Sequence, residues 1–345
     1  MKPRTTLLVV VLTGLFLLGA ASRVLAVERL WQIALEEIEG SMQHAYAEKF
    51  VQVVETASDG QIRCQIHPYG DLGTSGDITR LLQNGDLQFA FQSPGHLGAI
   101  IPEVQVYSIH YLFPTEAGQL ETMLRRGPHT RPVLGKYYRR HRLELLATIE
   151  EGWQIWTANK PIRRPADFEG VTFRVMSSPL LITAYRLYGA YAVTVPYSQI
   201  YRDLELGRID AETQPFFAIQ EMKFYEVQDY MINARQLPFI ATFAANRDFV
   251  DGLPAADRNL VRKAVDAANA HIFELEARLN ARRFQMIMKA KPSMRYIELT
   301  EAEIDAFRQK TLPLREKYLE MGGAGAREVL DAVIRDKAWA AEQQD

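Results

Sequence analysis

Apolar positions along the first hundred residues fall alternately into short runs and helical spacings. Residues 30–35 (LWQIAL) are a compact apolar run between charges and predict a first strand. From 41 to 57, Ala45, Phe50, Val53 and Val54 share one face at helical spacing. Asp59-Gly60 closes that helix, and residues 61–67 alternate, with Ile62, Cys64 and Ile66 on one side. A second helix is predicted at 77–83, stopped by Asn84-Gly85, and a buried strand at 87–91. Strand–helix–strand–helix–strand predicts a parallel α/β sheet with its ligand crevice at the carboxyl ends of the strands.

The rhythm returns after residue 150. Strands are predicted at 154–158, 172–175, 192–195 and 209–213, helices at 180–187 and 198–206, and a loop at 161–168. Two similar α/β lobes follow from this. Between 255 and 285, Leu260, Val261, Val265, Ala268, Ile272, Leu275 and Leu279 recur at helical spacing. A helix of that length extends about 45 Å, more than one lobe needs. No flexible linker or repeat separates the lobes, so the chain is expected to cross between them several times.

The N-terminus has another character. Lys2 and Arg4 precede an apolar run over residues 7–21, and Val24-Leu25-Ala26 offers small residues for cleavage before Val27. This is the layout of a secretory signal peptide, and the run is short for a membrane span. The 345 residues carry 40 basic and 42 acidic side chains. Removing 1–26, which holds Lys2, Arg4 and Arg23 and no acid, takes the net charge from −2 to −5. A broad nucleic-acid surface is therefore not expected. The single cysteine, Cys64, excludes an intramolecular disulfide and any zinc site needing two thiolates.

Several segments, in order, resemble one family. They are Gly170-Val-Thr-Phe-Arg174-Val, Gly189-Ala190, Val195-Pro196-Tyr197-Ser198-Gln199-Ile200-Tyr201, Gly207-Arg-Ile-Asp210 and Lys223-Phe-Tyr-Glu-Val-Gln228. His67-Pro68, Leu72-Gly73, Asn84-Gly85 and Phe89-Ala90-Phe91 add to the set. Together, over roughly residues 28–335, they resemble the DctP family, the extracytoplasmic solute-binding proteins of TRAP (tripartite ATP-independent periplasmic) transporters. The resemblance implies a two-lobe periplasmic binding protein fold of α/β class, with crossing strands and a long helix spanning both lobes. Lobe one would comprise 27–151 plus 240–279, and lobe two 152–239 plus 280–345. It further implies a periplasmic protein that captures a small organic carboxylate and delivers it to the membrane permease subunits; a monomer is expected, with dimerisation through the long helices left open. No catalysis and no cofactor are expected. A sensor that presents its closed form to a receptor kinase, and an exported enzyme on the same scaffold, are the rival readings.

By the same resemblance, Arg174 grips the ligand carboxylate; its planar guanidinium fork matches two carboxylate oxygens. Gln214, before Pro215, stands where the family commonly has asparagine. Tyr197 stands where an aromatic ring packs on the ligand, with a core tyrosine as the alternative. Gln154 replaces a second arginine found in some members, which argues against the sialic-acid type of site. Trp31, Trp153 and Trp156 sit on strands expected to face the cleft. Regular alternation puts Trp153 and Trp156 on opposite faces, so at least one belongs to the core. Glu36, Glu37 and Glu39 follow the first strand and are expected to be solvated; if one faces the cleft, it could meet an ammonium group opposite Arg174, making an aromatic or zwitterionic carboxylate a candidate ligand.

Enzymatic constellations are not apparent. The seven histidines form no HExxH, and there is no GxSxG, P-loop or GxGxxG. Cys64 reads as a small core side chain, and the basic run at 136–142 (KYYRRHR) as a solvated helix face.

Overall fold

The computed structural model describes residues 29–116 and 118–343, so the export segment read at 1–26 lies outside the described residues. Strands β1 (Arg29–Ala34), β2 (Ile62–His67), β3 (Phe89–Gln92), β4 (Leu143–Trp153) and β10 (Pro238–Asn246) form one sheet in the order β2-β1-β3-β10-β4. A second sheet has the order β11-β9-β5-β8-β6-β7. Its strands are β5 (Ile155–Ala158), β6 (Thr172–Val175), β7 (Tyr191–Thr194), β8 (Ala211–Gln214), β9 (Tyr230–Asn233) and β11 (Arg295–Glu298).

The strands read from sequence pair in parallel, β1 with β2 and β3, and β6 with β7 and β8. Neither sheet is purely parallel, however. β10 runs antiparallel to both β3 and β4, and β5 antiparallel to β8 and β9. These are the strands that carry the chain between lobes. β4 passes into β5 through Gln154 alone, and β9 returns to β10 through residues 234–237. A crossing strand enters the other sheet from the opposite end, which fixes its direction.

Each lobe is packed around aromatic rings. Helix Met42–Ala57, capped by the Ser41 hydroxyl on the His44 N–H, lays Tyr46 and Phe50 edge-on against Phe91 and Phe243. In the second lobe Trp156 is fully buried among Phe168, Tyr188 and Phe307, and its indole N–H donates to the Tyr185 hydroxyl at 3.0 Å. Burying each such ring contributes about 1.5–3 kcal/mol.

The helix Ala255–Ala290 is five residues longer than the sequence pattern predicts. Its Val261, Ala264, Val265, Ala268 and Ile272 belong to the first core, and Ile287 to the second. Asn280 sits at the crossing. Its Oδ1 accepts from the Phe217 N–H at 3.2 Å, and its Nδ2 donates to the Glu151 carbonyl at 2.9 Å. The backbone must come close here: Gly152 has φ +122°, and a Cβ on it would lie 2.6 Å from Asn280 Nδ2.

The C-terminal helix Leu314–Glu342, broken at Gly323 (φ 56°, ψ −134°), departs from the expected division. The sequence reading groups 280–345 with lobe two. This helix instead bonds to residues assigned to lobe one: Tyr318 to the Glu103 carbonyl, Glu328 to Tyr137, and Asp336 to the N–H groups of His129 and Thr130. The buried Asp336 carboxylate satisfies the free amides at the start of helix Thr130–Arg140, which anchors the chain end there. The basic run at 136–142 is largely neutralised, with Lys136, Arg139 and Arg142 paired to Glu328, Glu144 and Asp248.

Candidate ligand-binding cleft

The cleft forms where strands of both sheets end. β1 runs out into Leu35, Glu36 and Glu37, and β3 into Ser93, while β6 brings Arg174 and β8 brings Gln214 from the other side. Loops at the carboxyl ends of parallel strands converge on one crevice, which gathers residues distant in sequence. Arg174, Gln214, Tyr197 and Glu36 line one small chamber of about 30 Å³. Glu37, Gln43, Ser93, His96, Met176 and Phe239 complete much of its wall.

The lobes meet across this chamber. The Ser178 N–H donates to the Gly95 carbonyl at 2.8 Å, His96 Nδ1 lies 3.2 Å from the Ser177 hydroxyl, and the Tyr69 and Tyr197 rings meet edge to face. The arrangement is closed.

Arg174 is 1% exposed. Its Nε donates to the Val195 carbonyl at 3.1 Å, which fixes the plane of the guanidinium. Among the described residues its terminal nitrogens make no hydrogen bond, and neither do the side-chain amide of Gln214 and the hydroxyl of Tyr197. Burial lowers the Arg174 pKa to about 10, opposed chiefly by the charge of Glu212, so it stays cationic at neutral pH. Glu212, on the strand of Gln214, accepts from the Thr157 hydroxyl at 2.8 Å and is itself pushed up to about 7 by burial.

Glu36 faces the same chamber. Its Oε2 accepts from the Ser93 N–H at 2.6 Å, and its Oε1 has no partner. Burial raises its pKa to about 7 against the lowering effect of hydrogen bonds from the Ser93 hydroxyl and N–H and the Ser75 hydroxyl. Gln43 holds this turn together, accepting from the Glu36 N–H through its side chain and donating its own N–H to Glu37. Glu37 is likewise raised to about 7 by burial, and Glu151 behind it is raised further by burial and the Glu37 charge. Two carboxyls so placed do not both ionise near neutrality.

The expected solvation of Glu36 and Glu37 is therefore wrong, while Glu39 is exposed. The turn after β1 folds inward because Gln43 and Ser93 supply the bonds that water would otherwise provide. Three other candidates lie outside the chamber. Trp31 is in the first core against Phe89 and Phe249, because the alternation of β1 turns it away from the cleft. Trp153 ends β4 half-buried, paired with Pro238. Gln154 is buried between β4 and β5, where its backbone bonds to Leu237 and to the Gln236 side chain. The break there also ends the regular alternation assumed for Trp153 and Trp156. Ser93, His96 and Met176 escaped the sequence reading, although Ser93 and His96 follow a predicted strand as Glu36 does.

Residues 34–321 match the family described as bacterial extracellular solute-binding protein, family 7 (DctP). The ectoine/5-hydroxyectoine-binding periplasmic protein UehA of Ruegeria pomeroyi is 35% identical over 89% of this chain and 90% of its own length. The solved periplasmic ectoine-binding protein of the TeaABC TRAP transporter of Halomonas elongata is 34% identical, with a TM-score of 0.87 over 90% of this chain and 99% of that one. An apo open TRAP periplasmic solute-binding protein from Marinobacter aquaeolei is 39% identical, with a TM-score of 0.83 over 88% and 99%.

Proposed function

Because this chain belongs to the DctP family of TRAP-transporter solute-binding proteins, we propose that its closed cleft holds a zwitterionic carboxylate of the ectoine kind. The observation that carries this reading is the pairing of unsatisfied charges in one chamber. The free edge of the Arg174 guanidinium faces a chamber into which Glu36 turns an unpartnered carboxylate oxygen. Buried polar groups are almost always hydrogen-bonded, so both ends call for a ligand. A carboxylate on Arg174 and a cationic, N–H-bearing group on Glu36 satisfy them together, while Gln214 and Tyr197 supply neutral contacts between. A dicarboxylate would set a second negative charge against Glu36.

The chain would be exported by its N-terminal segment, act as a monomer in the periplasm and pass its ligand to the permease subunits. Binding would favour the closed arrangement by its greater affinity for that state. No step of chemistry is assigned to the site. Isothermal titration with ectoine, 5-hydroxyectoine and succinate tests the reading. Saturable binding of either ectoine, well above that of succinate, is expected; succinate binding as tightly would overturn the zwitterion assignment.

A further inference from the structure

The chamber is too small to be the whole site. At about 30 Å³ it holds one or two waters in the closed state. A second compartment of about 240 Å³ lies next to it. The two share Ser75, His96 and Tyr197, which stand between them.

The outer compartment differs in chemistry from the inner. No Asp, Glu, Lys or Arg lines it. Its polar groups are the hydroxyls of Tyr69, Thr74, Ser75, Ser177, Thr194 and Tyr197, together with His96. That histidine is held neutral: burial and the nearby Arg174 charge lower its pKa to about 3. Val175, Val195 and Pro196 provide an apolar side. A wall of this kind can donate and accept hydrogen bonds, yet offers no counter-ion to a charged group. The partners come from both lobes, Tyr69, Thr74 and His96 from one and Ser177 and Tyr197 from the other, so an occupant would be clasped only on closure.

We propose that the outer compartment is a subsite for a neutral, hydrogen-bonding arm on the ligand, such as a hydroxyl, carboxamide or ureido group. The ligand class is then an extended zwitterion: a carboxylate and cation that reach Arg174 and Glu36, with an uncharged polar arm extending past His96 and Tyr197. This rests on the zwitterion reading of the inner chamber.

The test titrates the full mature chain with four α-amino acids that share one head group, alanine, norleucine, glutamine and citrulline, and with ectoine as the compact reference. Glutamine and citrulline are expected to bind at least tenfold more tightly than alanine and norleucine. Thr194→Leu, which fills the outer compartment from an exposed position away from the lobe-closing contacts, is expected to erase that advantage and leave alanine within twofold. Equal affinities across the four acids, or no binding by any of them while ectoine binds, would overturn the subsite alone. Loss of alanine and arm-bearing ligands together in Thr194→Leu would also overturn it, since the two compartments would not then be separable. Failure of ectoine and all four acids in the unmodified protein would overturn the zwitterion reading beneath it.

Discussion

Glu36 offers a direct way to separate a zwitterion from a plain acid. Burial holds its pKa near 7 in the ligand-free cleft, and a cation on its carboxylate would lower that value sharply. Binding then requires the ionised form, and below pH 7 it must expel a proton. Between pH 8 and 5.5 the ionised fraction falls from about nine-tenths to about 3%, so affinity for ectoine should fall about thirtyfold, or ~2 kcal/mol. Nearby groups have assigned behaviour. Arg174 stays charged, His96 stays neutral, and Glu37, Glu151 and Glu212 share the raised range. Glu36→Gln isolates the contribution of Glu36, because it keeps the shape and one acceptor while removing the titration. The variant should bind ectoine at least tenfold more weakly at pH 8, with a flatter pH profile. Titration calorimetry in two buffers of different ionisation enthalpy should show proton release at pH 6 in the wild type and less in the variant. Affinity that does not change with pH, or that rises on acidification, would refute the reasoning, because a simple carboxylate is helped by a protonated Glu36.

Two further outcomes follow from the same chamber. Arg174→Lys keeps the charge but loses the fork and the Val195 contact, so ligand affinity should fall tenfold or more by calorimetry; affinity within twofold would show that charge alone suffices. The ligand-free protein should lose stability as pH rises from about 4.5, where the unfolded carboxyls ionise, through about 7, where Glu36, Glu37 and Glu212 follow in the folded state. Glu151→Gln removes another buried acid that burial holds well above the usual carboxylate range and should raise the thermal midpoint at pH 8 more than at pH 5. Equal shifts at both would count against a buried proton there.

The elements were more legible than the site. Periodicity located β1, the helix over 42–57 and the long helix, because each turns a continuous apolar face to a core that local spacing reveals. It missed β4 entirely, because the run LELLATIEEGW carries three acids, and one of them, Glu151, is buried beneath the cleft beside Glu37 and Gln43. Arg174 came from the ordered motifs around it. Glu36 was visible as a residue but not as a buried one, since its burial depends on Gln43 and on Ser93, 57 residues away. Trp31 misled because aromatic content near a strand end says nothing of which face is turned to the cleft.

The position of β10 also has a consequence during synthesis. It lies inside the first sheet, between β3 and β4, yet is made after both. For about ninety residues after Trp153 emerges, that sheet lacks an interior strand, and the apolar edge of β3 has no partner. At typical elongation rates this interval lasts roughly 5 to 20 s. A nascent chain in that state resists premature folding and stays threadable through a translocon, but it exposes an unpaired edge. The topology that makes a hinged clasp in the finished molecule would thus also favour export of an unfolded chain, at the cost of dependence on chaperones.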